Sequence, residues 1–214
     1  MSIVFEKRKS VSRAALFAVP AVSFLVSLAL TGIVLLIFGT DPITTFAAMF
    51  AGAFGSAHGF AETLVKAIPL MLTGLGVALA FKLKFWNIGA EGQLMLGGIA
   101  ASWVALFHGA AIPAPLLLPA CLLAGCAGGA LWASVPALLK TRLKVDESLV
   151  TLMLNYVAIL FAEFLYYGPW RDPKGYGFPG SAPFPDAAWL PKIFGRAHIG
   201  LYFALGLAVA LWII

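Results

Sequence analysis

The sequence has few charged residues for its length. Lysine, arginine, aspartate and glutamate make up 11% of its 214 residues, whereas 62% are hydrophobic. A soluble domain carries about 25% charged residues, so this composition argues against an ordinary soluble globular protein. The net charge of +5 does not indicate nucleic-acid binding, because the basic residues lie at the ends of apolar runs instead of forming a continuous stripe.

Residue types that support metal or redox chemistry are also scarce. Cys121 and Cys126 lie in an apolar stretch and form neither a Cys-x-x-Cys motif nor a disulfide framework. The three histidines are scattered, and a catalytic zinc needs about three converging protein ligands, so we expect no metal site. The sequence has no GxxxxGK[ST] phosphate-binding loop and no GxSxG or HExxH motif. It therefore predicts neither an ATPase nor another enzyme, and no catalytic residues, in this chain.

Long apolar runs are abundant. A membrane-spanning helix needs about 20 predominantly apolar residues, and six stretches approach that pattern: 14–38, 67–81, 90–107, 114–139, 149–167 and 199–214. We therefore predict an all-α, polytopic membrane protein with about six spans. Residues 41–59 are small and aromatic and too few to cross twice, which favours an interfacial or re-entrant segment.

The last apolar run is short. Its 16 residues would extend about 24 Å as a helix, against a hydrocarbon core of about 30 Å. We expect the chain to be truncated before further C-terminal spans; a tilted or interfacial helix is the alternative. The predicted organisation is a cytoplasmic basic N-terminus at 1–13 and one C-terminally incomplete transmembrane domain at 14–214, with an outer loop at 168–197.

The basic residues predict an orientation. Nine lysines and arginines flank the spans on one side: Lys7, Arg8, Lys9, Arg13, Lys82, Lys84, Lys140, Arg142 and Lys144. If the second span is entered from Glu62, so that Lys66 lies within it, the first two loops on the other side carry none, and the long loop carries four. Cytoplasmic loops of membrane proteins are enriched in lysine and arginine, so we expect the N-terminus to be cytoplasmic.

Polar residues interrupt the apolar stretch between the second and third spans. A bilayer tolerates polar, irregular backbone at depth only where protein or a water-filled cavity satisfies it, and ionisable groups there suggest a functional site. Asn87 is predicted to be the N-cap of the next helix, Glu91 suits its positive end, and Gln93 lies on a second face. This pattern is typical of the broken helices of transporters. Inter-helix packing is an equally weighted alternative.

Two further segments carry candidate residues. Asn155 lies about two turns into the fifth span, and we group it with Asn87, Glu91 and Gln93 as candidate pathway or gating positions. The outer loop at 168–197 has six prolines, which exclude a long regular helix. Its aromatic residues and arginines are of the types that interfaces favour. Docking of an extracytoplasmic partner and covering of the protein's own pore both remain open.

The segment Lys66–Phe81 continuing into Asn87-Ile-Gly-Ala-Glu-Gly-Gln93 closely resembles permeases of ATP-binding-cassette (ABC) importers, in the branched-chain amino acid and ribose superfamily. The nucleoside and simple-sugar branch is the nearest. Residues 151–156 and the block Gly168-Pro-Trp-Arg-Asp-Pro173 are similar to further blocks of that branch, and the resemblance extends from about Leu64 onward. One departure is Asp146-Glu-Ser148, where many relatives carry Asn-Glu-Val.

The resemblance implies an all-helical permease in the cell (inner) membrane that moves a nucleoside or related sugar-containing solute inward by alternating access. It implies four kinds of partner: a second permease subunit, two cytoplasmic ATPase subunits, an extracytoplasmic solute-binding protein and membrane lipid. ATP and magnesium would be held by the ATPases, with no cofactor in this chain. Trp170, Arg171 and Asp172 are the candidate docking residues for the binding protein.

The residues leave three alternatives open. The first is a permease for ribose, another sugar or branched-chain amino acids. The second is a stand-alone secondary transporter or channel, which would be expected to show an inverted repeat with paired broken helices. The third is a structural membrane subunit in which the polar residues serve packing alone.

Overall fold

The computed structural model describes residues 12–213, apart from the side chain of Arg13. Within that range there are seven α-helices: α1 (Arg13–Ile37), α2 (Pro42–Phe54), α3 (Ala57–Lys82), α4 (Ala90–Trp103), α5 (Ala114–Leu143), α6 (Glu147–Tyr167) and α7 (Gly200–Ile213). A π-helical turn, Val104–His108, extends α4. Two short antiparallel strands, β1 (Lys192–Phe194) and β2 (Ala197–His198), precede α7.

Five of these helices are long and apolar enough to cross a membrane: α1, α3, α4 with its π-helical turn, α5 and α6. The predicted helical, polytopic fold is therefore confirmed. The predicted sixth span is a 14-residue apolar helix, α7, which is shorter than a typical span. Most of the predicted basic N-terminal segment lies outside the described residues.

Contacts divide the chain into two compact units, one ending at Phe60 and one beginning at Ala61. In the first unit, Asp41 caps α2 by accepting hydrogen bonds from the backbone N–H groups of Ile43 (3.2 Å) and Thr44 (3.1 Å). Pro42 occupies the first turn, where a missing N–H costs nothing. The Thr44 hydroxyl also donates to Asp41, and these bonds hold the pKa of the Asp41 carboxyl below its ordinary value.

Small residues allow α4 and α5 to pack closely in the second unit. A Cβ atom added at Gly97 would lie 2.8 Å from the carbonyl oxygen of Gly125, and one at Gly128 would lie 2.6 Å from the Cβ of Ala100. Neither position has room for a side chain. Gly97 of α4 and the glycines Gly125 and Gly128 of α5 therefore bring two backbones together, as expected for helices that pack in a bilayer.

The loop between α6 and α7 packs against one end of the second unit. The ring of Trp170 packs edge-on against Phe107 of the π-helical turn, with centroids 5.5 Å apart. The Arg196 guanidinium forms an ion pair with Glu62 near the start of α3 at 3.3 Å. Prolines limit the loop's helical structure to a three-residue turn, yet these contacts and the short hairpin fix its path.

The basic ends of α3 and α5 meet at the other end of the second unit. Lys84 (φ 57°) follows α3 and Lys144 (φ 54°) follows α5, both in the left-handed conformation that commonly ends a helix. The ammonium group of Lys140 donates to the carbonyl oxygen of Lys84 at 3.1 Å. Asp146 then caps α6 by accepting from the N–H of Leu149.

Candidate functional site: the start of helix α4

The connection between α3 and α4 leaves the helical conformation before α4 begins at Ala90. Gly89 is the N-cap residue and has no side chain to cap the helix. The prediction that Asn87 is the N-cap was therefore wrong by two residues. Its side-chain oxygen instead accepts from the N–H of Gly89 at 2.9 Å. Because the chain supplies no local cap to the α4 amides, their partners must come from elsewhere.

Asn155 of α6 supplies one of these partners across the helix interface. Its side-chain oxygen accepts from the N–H of Gly92 at 2.7 Å, and its side-chain nitrogen donates to the carbonyl oxygen of Ile88 at 2.8 Å. Gly92 is the third residue of α4, so its N–H has no partner within the helix. Asn155, only 8% exposed, thus caps α4 from a neighbouring helix.

Two further α6 side chains bind the same connection. Thr151 accepts from the N–H of Ile88 at 3.1 Å, and a Glu147 carboxylate oxygen accepts from the N–H of Trp86 at 3.3 Å. Glu147, Thr151 and Asn155 are spaced by four residues and therefore lie on one face of α6. That face pairs the N–H groups of Trp86, Ile88 and Gly92 and the carbonyl oxygen of Ile88, as required where polar backbone lies between spans.

Glycines let the connection approach α6 this closely. A Cβ atom at Gly89 would lie 2.9 Å from the Cβ of Thr151, and one at Gly92 would lie 2.8 Å from the side-chain oxygen of Asn155. Any other residue at either position would push the connection away from α6 and lengthen the hydrogen bonds described above. The glycines of the Asn-Ile-Gly-Ala-Glu-Gly-Gln block are therefore part of the site.

An ion pair between Lys140 of α5 and Glu147 of α6 lies beside the α3–α4 connection. The ammonium group of Lys140 lies 2.5 Å from the Glu147 carboxylate and 4.9 Å from the ring centroid of Phe85. The same ammonium binds the Lys84 carbonyl oxygen, so the α3–α4 connection is attached to both α5 and α6. The Glu147 side chain is 15% exposed, and the pair is only partly accessible to solvent.

Asn87 and Gln93 form a reciprocal amide pair. The Asn87 side-chain nitrogen donates to the Gln93 side-chain oxygen at 3.1 Å, and the Gln93 nitrogen donates to the Asn87 oxygen at 3.2 Å. The pair lines a cleft of about 240 Å³ between α3 and the start of α4. The other residues that line this cleft are Leu72, Thr73, Gly76, Val77, Ala90 and Leu94.

The four predicted pathway residues therefore differ from one another in their placement. Asn87 and Gln93 face the cleft, and Asn155 holds the backbone of the same segment. The side chain of Glu91 is exposed and is not part of the cleft lining. Whether any of the four lies on a solute path stays a prediction.

The predicted docking residues occupy the opposite end of the second unit. Trp170 is partly buried against Phe107, and the Asp172 carboxylate accepts from the N–H of Lys174 at 2.9 Å. Arg171 is exposed. Two of the three side chains therefore help to shape the loop, and docking remains a prediction for all three.

Sequence reasoning missed Thr151, Thr73 and Lys140. The first had a usable signal, because it lies midway between Glu147 and Asn155 on the same face of α6. The sequence pattern does not distinguish Thr73 from any other polar residue within a span, and it marks Lys140 only as one of the basic residues that flank the spans. Among the described residues, no group of three histidine, cysteine, aspartate or glutamate side chains could hold a metal ion.

Comparison with known proteins places the chain among transport proteins. A family described as "Branched-chain amino acid transport system / permease component" matches residues 59–214. A glucose ABC transporter permease protein of Haloferax volcanii is 36% identical over all of this chain and 59% of its own length. A guanosine ABC transporter permease protein of Bacillus subtilis is 34% identical over 95% of this chain and 59% of its own length.

A nucleoside ABC transporter permease protein of Lactococcus lactis is 36% identical over 70% of this chain and 41% of its own length. The chain thus spans less than two thirds of the length of these relatives. No solved structure matches it significantly.

Proposed function

We propose that this chain, which belongs to the family of branched-chain amino acid transport system permease components, is the membrane-spanning subunit of an ABC importer. It would move a nucleoside or related sugar-containing solute inward. The observation that carries the proposal is the irregular start of α4. Its backbone groups are paired by the α6 side chains Thr151 and Asn155 beside a cleft that the amides of Asn87 and Gln93 line.

The solute class rests on two lines of support. Two relatives are described as guanosine and nucleoside permeases, and one as a glucose permease. The cleft beside Asn87 and Gln93 offers uncharged amide groups, which suit hydroxyl groups and heterocyclic nitrogens. Nucleosides are our first choice, and free sugars are the second.

We further propose the complete assembly and its orientation. A second permease subunit, two cytoplasmic ATPases and an extracytoplasmic solute-binding protein would act with this chain, and the ATPases would hold ATP and magnesium. The basic end formed by α3 and α5 would face the cytoplasm of a cell (inner) membrane, in line with the enrichment of lysine and arginine in cytoplasmic loops. The end that carries Trp170, Arg171 and Asp172 would face the binding protein.

We propose a role for each candidate residue on the basis of its placement. Asn87 and Gln93 would contact solute or gate its path, because their amides face the cleft. Asn155 would hold the start of α4 in place, because its side-chain oxygen and nitrogen both form hydrogen bonds with the backbone there. Glu91 would act at an exposed position near the helix start, where its charge suits the helix dipole.

Uptake by the whole transporter in proteoliposomes tests the proposal. The transporter is reconstituted with its ATPases and binding protein, and uptake of labelled guanosine, ribose, glucose and leucine is measured with ATP and with a non-hydrolysable ATP analogue. We expect ATP-dependent uptake of guanosine or another nucleoside. Uptake that persists without ATP and stops when an ion gradient is dissipated would contradict the ABC importer assignment.

A matched pair of variants tests the role of Glu91. We expect Glu91→Ala to reduce uptake while leaving membrane insertion unchanged. Glu163→Ala removes the same type of side chain near the C-terminal end of α6, away from the start of α4, and should reduce uptake less. Normal uptake by the Glu91 variant would remove that residue from the mechanism.

A further inference from the structure

We infer that the cleft between α3 and the start of α4 is a binding subsite for an uncharged ring that bears neighbouring hydroxyl groups. In this subsite, Thr73 accepts a hydrogen bond from the solute. The inference rests on the proposed function and deepens it, since it assigns the sugar moiety of the solute to named atoms. A ribose ring of a nucleoside and a free sugar share this chemistry.

The hydrogen-bonding capacity of the amide pair supports the inference. Each primary amide has two N–H donors and an oxygen with two lone pairs. In the Asn87–Gln93 pair, each nitrogen uses one donor, the Gln93 oxygen uses one lone pair, and the Asn87 oxygen accepts from both Gln93 and Gly89. Two N–H donors and one lone pair therefore remain available at the cleft.

Thr73 adds an acceptor from the facing helix. Its hydroxyl hydrogen is used within α3, where the oxygen lies 2.8 Å from the carbonyl oxygen of Pro69 and 3.2 Å from that of Leu70. The lone pairs of the Thr73 oxygen stay available. The cleft thus presents donors and an acceptor on the amide wall and a second acceptor on the α3 wall, and a hydroxyl group can both donate and accept.

The absence of charged side chains from the described residues of the cleft lining and the open space beside Gly76 favour an uncharged ring as the ligand. The eight described residues that line the cleft include no charged side chain. A zwitterionic amino acid would need counter-charges for its ammonium and carboxylate groups, whereas a sugar ring would not. A Cβ atom added at Gly76, which lines the cleft, would meet no atom within 4 Å. This glycine therefore leaves open space beside the polar groups.

The first test compares two threonines with the same local bonding. The Thr141 hydroxyl oxygen lies 2.9 Å from the carbonyl oxygen of Ala137 and 3.2 Å from that of Leu138, but Thr141 is exposed at the end of α5. We expect Thr73→Val to reduce uptake efficiency about fivefold, as for one lost hydrogen bond, with Thr141→Val unchanged. Uptake is measured in the reconstituted whole transporter with guanosine, ribose and glucose.

Deoxy analogues of the solute distinguish a direct hydrogen bond to Thr73 from a structural effect of the Thr73→Val substitution. If Thr73 binds a hydroxyl group, the Thr73→Val penalty should disappear for the deoxy analogue that lacks that group, because the contact is already absent. A structural effect would reduce uptake of every analogue equally. Guanosine and its deoxy forms test the nucleoside source, and glucose and its deoxy forms test the free-sugar source.

The second test fills the cleft. Gly74 and Gly76 both lie in α3, and a Cβ atom at either would meet nothing within 4 Å, but only Gly76 lines the cleft. We expect Gly76→Leu to reduce uptake at least tenfold and Gly74→Leu to leave it near the parent value, with equal membrane levels of the two variants.

The outcomes distinguish this inference from the proposed function. Equal uptake by the Thr73→Val and Thr141→Val variants, or by the two leucine variants, would overturn the subsite and leave the ABC importer intact. Efficient uptake of leucine in place of hydroxylated solutes would also overturn the subsite. Uptake that needs no ATP would overturn the importer assignment, and the paired variants would still test the cleft.

Discussion

Replacement of Asn155 by alanine tests the cross-helix cap directly. The variant would leave the N–H of Gly92 and the carbonyl oxygen of Ile88 without their partners, which lie at 2.7 and 2.8 Å. The Asn155→Asp variant would be more selective. It keeps an oxygen that can accept from Gly92 but places a second oxygen against the Ile88 carbonyl.

The expected magnitude follows from the loss of the Gly92 bond. Leaving a buried donor unpaired costs about 1–3 kcal/mol, whereas hydrogen bonds between helices of a membrane protein average about 0.6 kcal/mol. The Gly92 amide should therefore become easier to open by about 0.6–3 kcal/mol. At about 1.4 kcal/mol for each factor of ten, its hydrogen exchange should be roughly 3-fold to 150-fold faster.

Hydrogen–deuterium exchange of the whole protein in detergent measures this change. Asn155→Ala should accelerate exchange at Gly92, and Asn155→Asp should accelerate it less. The control variant Met153→Ala, at an exposed position of α6, should match the parent. Unchanged Gly92 exchange in the Asn155→Ala variant would show that the cross-helix hydrogen bond does not protect this amide, and the reasoning would be refuted.

Three further changes have defined outcomes. Gly97→Leu should lower the free energy of unfolding by about 1–3 kcal/mol, because it overpacks the interface between α4 and α5. Gly98→Leu should leave the free energy of unfolding unchanged, because a Cβ atom there would meet nothing within 4 Å. Thermal melts compare the two variants. Glu147→Gln, which removes the ion pair with Lys140, should lower the melting temperature, and high salt should shrink that loss because it screens the pair. The Asp41 carboxylate, whose pKa is lowered, should stabilise α2 fully above the ordinary carboxyl pKa. That stabilisation should be lost as the pH falls through the lowered pKa, which amide NMR in acid would follow; a pH-independent α2 would contradict it.

Several features of the fold could be predicted because they depend on local composition. Apolar runs of membrane length predicted the helices α1, α3, α4, α5 and α6, and the structure has helices at these positions. The bounds were less accurate. For example, α3 begins at Ala57, ten residues before the predicted run, since its first turns mix small and polar residues that carry little hydropathy signal.

The candidate site was only partly predictable. The polar break from Asn87 to Gln93 was recognisable from the sequence, because amides and a carboxylate between apolar runs are unusual in a membrane protein. Its partners were not. The hydrogen bonds from Trp86, Ile88 and Gly92 to α6 join residues 61 to 63 positions apart, and no local pattern specifies which side chains meet at that distance.

The positions of the membrane-spanning helices and of the polar break can be read from the amino-acid order, since both follow from the cost of placing polar groups in lipid. The sequence also contains the small residues that allow close helix packing. The packing of the helices, by contrast, is what makes α6 cap α4, joins Lys140 to Glu147 and the α3–α4 connection, and places Thr73 across a cleft from the Asn87–Gln93 pair. The reason is geometric: hydrogen bonds and ion pairs form within about 3–4 Å, and only the packing of whole helices brings residues distant in sequence that close.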